Sequence, residues 1–135
     1  MKKIMLIFLI LSAAAIYGQV FNKVYSAAID SGYANTDTLD LGENPSKLAS
    51  VIFSDSLDGT YLGVYTGASK TAAFYPVYQD STAVKIKFRD NTQVGFEPPQ
   101  INQLLRYFFF EMQNASGDTV QQVRDRTFKY VLTNF

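Results

Sequence analysis

Beyond its first eighteen residues the chain sets apolar against polar positions in short runs, and none has the spacing of a long helix. Val20 to Ile29 predicts a first strand, stopped by Asp30-Ser31-Gly32. Thr36 to Leu41 predicts a second, with Leu39 and Leu41 on one face, and Gly42-Glu43-Asn44-Pro45 then turns the chain. Leu48 to Phe53 is a third, followed by Asp55-Ser56-Leu57-Asp58-Gly59, a tight connection in which Gly59 is free to take a positive φ. Thr60 to Thr66 and Ala72 to Tyr78 come next. Pro76 marks the latter as an edge or bulged strand, because proline donates nothing to a ladder. Ala83 to Arg89 shows the clearest alternation: Val84, Ile86 and Phe88 on one side, Lys85, Lys87 and Arg89 on the other. That is the pattern of a half-buried antiparallel strand with a solvated basic face.

Pro98 to Leu105 predicts one or two helical turns, since proline suits a first helical position. Arg106 to Gln113 follows with Tyr107-Phe108-Phe109-Phe110, which places aromatic bulk on both faces of a strand. Tyr107, Phe108, Phe109 and Phe110 are therefore the candidate interface, expected to be core on one face and oligomer contact on the other. Asn114-Ala115-Ser116-Gly117-Asp118 reads as a hairpin loop, and Arg126 to Thr133 as the last strand, with Phe128, Tyr130 and Leu132 on one face. The fold class is all-β: an antiparallel, jelly-roll-like β-sandwich of about eight strands over residues 19–135, preceded by an N-terminal apolar helix.

That helix changes the picture. Lys2 and Lys3 lead into an apolar run that includes Ile4, Leu6, Ile7, Phe8, Leu9, Ile10 and Leu11, and Ala13 to Gly18 supply a small-residue exit. Residues 1–18 read as a secretory signal peptide or as a short, uncut membrane anchor. From Ile4 to Tyr17 a helix covers about 21 Å at 1.5 Å per residue. A hydrocarbon core is about 30 Å thick, so an anchor has to extend to Phe21. Either way the chain meets a membrane.

Composition removes several function classes. Without residues 1–18, ten Lys and Arg face twelve Asp and Glu, a net charge of −2. The charges are scattered, so no basic footprint for nucleic acid is expected. The absence of cysteine excludes a disulfide framework, a thiolate nucleophile and a lipid-bearing cysteine. The absence of histidine excludes a Ser-His-Asp relay and the usual zinc sites. Chemistry by carboxylates alone would fall to Asp55 with Asp58, or Glu97 with Glu111. Nothing in the spacing buries either pair together, so no catalytic residue, cofactor or metal is assigned.

Three local clusters invite sharper readings. Asp55 and Asp58 beside Gly59 suggest calcium but lack the alternate ligand spacing of a calcium loop, so a plain turn is expected. Tyr61, Tyr65, Tyr75 and Tyr78 could form a platform for sugar rings, although alternating tyrosines more often serve core or interface. Asp125 is expected to pair with Arg124 or Arg126 and fix the approach to the last strand.

Several of these passages, in this order, resemble a family of small β-sandwich domains in bacteriophage virion proteins. They are Ala28-Ile29-Asp30-Ser31-Gly32, Thr38-Leu39-Asp40-Leu41-Gly42, the acidic-glycine turn in Phe53 to Thr60, and Phe74-Tyr75-Pro76-Val77-Tyr78. Leu105-Arg106-Tyr107-Phe108-Phe109 and Gln122-Val123-Arg124-Asp125-Arg126-Thr127 complete the series. The resemblance spans roughly Ser26 to Leu132. It implies a non-enzymatic structural protein (capsid decoration, spike, fibre or tail component) whose partners are other virion proteins and further copies of itself. The N-terminal segment departs from that family and fits a membrane-containing particle. The rival expectation is an exported bacterial β-sandwich at the periplasm or cell surface, binding a glycan or an envelope partner.

Overall fold

Eleven short strands make up the secondary structure of the described residues: β1 (Asn22–Ile29), β2 (Leu39–Asp40), β3 (Ser46–Ile52), β4 (Tyr61–Gly67), β5 (Tyr75–Pro76), β6 (Tyr78–Gln79), β7 (Thr82–Ala83), β8 (Lys85–Lys87), β9 (Gln93–Gly95), β10 (Tyr107–Gln113) and β11 (Arg126–Asn134). The structure is a computed structural model that describes residues 22–42, 46–53, 56–79, 81–88, 93–95 and 104–134. The apolar segment holding Ile4, Leu6, Ile7, Phe8, Leu9, Ile10 and Leu11 lies outside the described residues, as do most of the expected helical turns. Among the described residues no helix is long and apolar enough to cross a membrane.

The strands form two antiparallel sheets and a small ribbon. One sheet has the order β1-β11-β3-β9; the other runs β2-β10-β4, with β5 and β8 sharing the far edge of β4; β6 and β7 pair with each other. The pairing is nested from the outside inward. β1 pairs with β11, β2 with β10, β3 with β9 and β4 with β8. Asn22 therefore lies opposite Thr133, and every residue of β1 to Ile29 keeps that regular register.

The two sheets meet through aromatic side chains. Phe108 and Phe110 of β10 are fully buried, as are Phe53 and Phe128. The Phe110 and Phe128 rings pack edge-on at 5.2 Å, and Phe108 meets Tyr130 edge-on at 5.6 Å. Buried rings of this kind remove about 150–250 Å² each from water, which lets a chain without disulfides hold a core.

Three strand predictions need correction. Ala72 to Tyr78 and Ala83 to Arg89 are not two continuous strands. They are β5 and β8, collinear along the edge of β4, with the β6–β7 ribbon inserted between them. Val77 and Val84 hold the break closed: the Val77 N–H donates to the Val64 carbonyl at 2.9 Å, and the Val84 N–H to the Val77 carbonyl at 2.7 Å. Thr36 to Leu41 shortens to β2 because Thr36 is buried and its hydroxyl takes the Phe110 N–H at 3.1 Å. β3 falls on the predicted third strand, but a bulge interrupts it. Val131 faces Ser50 while Leu132 faces Leu48, so Ala49 is an extra residue. This bulge turns both Leu48 and Val51 into the core. Other expectations stand: Pro76 is on an edge strand, Gly59 has φ +136°, and residues 114–118 close a hairpin through the Gln113–Thr119 bridge.

Candidate functional site

Alternation along β10 divides the four aromatic residues expected at an interface. Phe108 and Phe110 point inward and are spent in the core, while Tyr107 and Phe109 are half-buried on the outer face. Phe109 stacks on Tyr65 of β4, with ring centres 4.9 Å apart and planes 6° from parallel, and Phe74 leans on it at 5.2 Å. Phe74 reaches that position because Gly67 has no side chain. A Cβ there would lie 3.1 Å from the Phe74 ring. The segment between β4 and β5 thus covers part of the outer face from within the chain. Tyr107 carries the Arg106 guanidinium 5.3 Å above its ring and Lys70 at 6.0 Å. Arg106 also pairs with Asp40 at 3.1 Å, and that hydrogen bond lowers the Asp40 pKa below the usual carboxylate value.

Further along the same face a polar group adjoins the rings. Gln113 Nε2 donates to the Tyr65 hydroxyl at 2.9 Å and to Glu111 Oε1 at 3.0 Å. Burial first, and then the Glu111 charge, raises the Tyr65 pKa. Beside this group lies a shallow depression of about 180 Å³ over Gly63, bordered by Tyr65, Pro76, Ala83, Lys85, Gln113 and Gly117. The four tyrosines considered as a sugar platform do not share it. Residues directly opposite on paired strands share a face. Tyr75 faces Thr66, on the core side of β4, whereas Tyr65 faces Pro76 on the outer side. Tyr78 is exposed on the β6–β7 ribbon.

A second polar cluster ties the loops at one end. Gln122 is only 2% exposed; its Oε1 accepts the Asp58 N–H and its Nε2 donates to the Asp58 carbonyl, both at 2.8 Å. The Asp58 carboxylate accepts the Val123 N–H at 3.0 Å and pairs with Arg126 at 3.5 Å. Asp125, expected to meet a neighbouring arginine, instead accepts the Ser31 N–H at 2.8 Å. The correction has a geometric cause: Arg126 is the first residue of β11, and its side chain is buried toward Asp58 rather than turned to its neighbour. The acidic-glycine turn and the Gln122 to Thr127 passage are therefore partners in space. Neither sequence stretch contains a signal for the other, since 64 residues separate Asp58 from Gln122.

These arrangements hold and present surfaces. Asp58 and Glu111 are each engaged by hydrogen bonds, whereas Asp55 and Glu97 lie outside the described residues. Among the described residues no three His, Cys, Asp or Glu side chains gather to hold a metal ion. No protein-family model, no curated protein and no solved structure matches this chain.

Proposed function

We propose that the chain is a non-enzymatic structural protein of a virus particle, tethered to or routed through a membrane by residues 1–18 and assembling with copies of itself. The observation that carries this reading is the nested strand pairing. The orders β1-β11-β3-β9 and β2-β10-β4-β8 are those of a jelly roll, an architecture found in viral capsid and lectin domains. Fold alone does not fix function. The added support is the resemblance to phage virion domains in the order and spacing of the passages, two of which meet here at Asp58 and Gln122.

The same architecture supports a second reading, an exported protein that binds surface glycan. The exposed tyrosines Tyr75 and Tyr78 favour it. One experiment separates the two. Particles and envelope are purified from a culture that makes the protein, and the intact chain is weighed by mass spectrometry in each fraction. Recovery in particles at a fixed ratio to the other virion proteins supports the structural role, and a mass that includes residues 1–18 makes that segment an anchor. Recovery only in envelope or medium, with a chain starting near Gln19, overturns the virion role in favour of the exported binder.

A further inference from the structure

Most carboxylates of the described residues have a partner within the fold. Asp40 takes the Gly42 N–H and Arg106, Asp58 takes Val123 and Arg126, and Glu111 takes Gln113. Asp118 takes Asn114, and Asp125 takes Ser31. The side chains of Asp30 and Asp37 have none among the described residues, and both line one groove of about 360 Å³ with Ala28, Tyr33, Asn35 and Thr36. The groove runs where the edges of the two sheets come together. β1 is the edge of one sheet, and the segment through Asn35 and Thr36 lies along β10 at the edge of the other. Tyr33 stands 63% exposed beside it, and β1 pairs only with β11 among the described residues. Natural sheets blunt such edges with bulges, proline or charge. Here β1 keeps a regular register along its whole length and carries Lys23 as its one charged side chain.

The opposite rim of the molecule carries the complementary charge. β8 is an edge strand that pairs only with β4 among the described residues, and it presents Lys85 and Lys87 outward while Ile86 goes to the core. Neither lysine forms an ion pair with a described residue. We propose that the acidic groove receives the β8 edge of a second copy of this chain, with Lys85 and Lys87 set against Asp30 and Asp37. The two surfaces differ, so every copy offers one of each. Such a head-to-tail contact builds a closed ring or an extended row rather than an isolated pair. The inference rests on the self-assembly part of the function proposed above. It is read on the purified chain, so it can fail while the chain is still found in particles, and the reverse.

The test is sedimentation velocity of the full-length protein in a mild non-ionic detergent, at about 50 mM and about 500 mM salt, because exposed charge pairs weaken as ions screen them. The wild-type chain should associate with rising concentration, about tenfold more weakly at the higher salt. The variant Asp30→Lys with Asp37→Lys, and separately the variant Lys85→Asp with Lys87→Asp, should each stay monomeric alone. Mixed together they should associate again, since the lysines retained on one fit the carboxylates retained on the other. That rescue excludes misfolding as the reason for the losses. A wild-type chain that stays monomeric throughout, association that survives either charge reversal, or a mixture that fails to recover would each overturn the contact.

Discussion

Gln122 meets the main chain at Asp58 with both halves of its carboxamide, and its Nε2 also donates to the Val120 carbonyl at 3.3 Å. Leucine branches one carbon earlier and has none of the polarity. Gln122→Leu would leave the part-buried Asp58 N–H and carbonyl without the carboxamide, and each such loss costs about 1–3 kcal/mol. A destabilisation of about 2–4 kcal/mol by urea denaturation is expected, and a loss under 1 kcal/mol would mean that the loops at this end are not held by Gln122. Tyr130 gives the second test. Burial, and then Tyr25 stacked 5.4 Å away, push its pKa from 10.0 up to about 12. A pKa raised by folding means that the unfolded chain loses the proton first. The stability is therefore complete below pH 10 and drains away as pH rises from 10 toward 12. The drop attributable to this group should be about 2 kcal/mol, and Tyr130→Phe should remove that part of the alkaline slope. An identical slope in the variant would show that Tyr130 ionises as readily folded as unfolded.

At the scale of the strands, legibility in the sequence depended on which force set the local pattern. Alternation in β11 comes from one face being buried against the other sheet, so that strand and its inward residues Phe128, Tyr130 and Leu132 could be read directly, whereas β10 could be read as a strand but not which of its aromatic residues turn inward. β3 could not be read that way, because a bulge at Ala49 shifts the phase of its alternation and depends on its partner β11. The break between β5 and β8 was equally hidden. The run of alternating residues from Ala83 continues through a junction set by hydrogen bonds to β4 and Val77, which carry no local signature. Of the aromatic strand, the sequence showed that both faces would be apolar but not that Phe74 would cover Phe109. This division predicts unequal costs. Phe110→Ala opens a cavity between the sheets and should cost about 3–5 kcal/mol. Phe109→Ala, on the half-buried outer face, should cost clearly less, because Tyr65 and Phe74 can close over the gap and water can reach it. Equal losses in thermal denaturation would mean that the outer face is packed as tightly as the core.

Across the whole molecule, the nested pairing makes folding a long-range problem. β1 can join its sheet only through β11, and their first pair, Asn22 and Thr133, joins the two ends of the described chain. β11 also lies between β1 and β3, so both join the sheet through the last of the described strands. The other sheet has the same character: β10 holds both β2 and β4, and Phe108 lies opposite Leu39 on one side and Thr66 on the other. Contacts so distant in sequence carry their loop-closure entropy before they return any burial, and all-β domains of this kind fold in milliseconds to seconds. Refolding from urea should therefore be slow and cooperative, without an early phase in which one sheet forms alone. A chain stopped after Asp125 loses β11 and with it the inner wall made by Phe128, Tyr130 and Leu132. Such a chain should show no cooperative transition by near-ultraviolet circular dichroism, even though β2, β4 and β10 are all still present. A cooperative transition in that truncated chain would show that the β10 sheet is stable alone and that the two sheets are separable folding units.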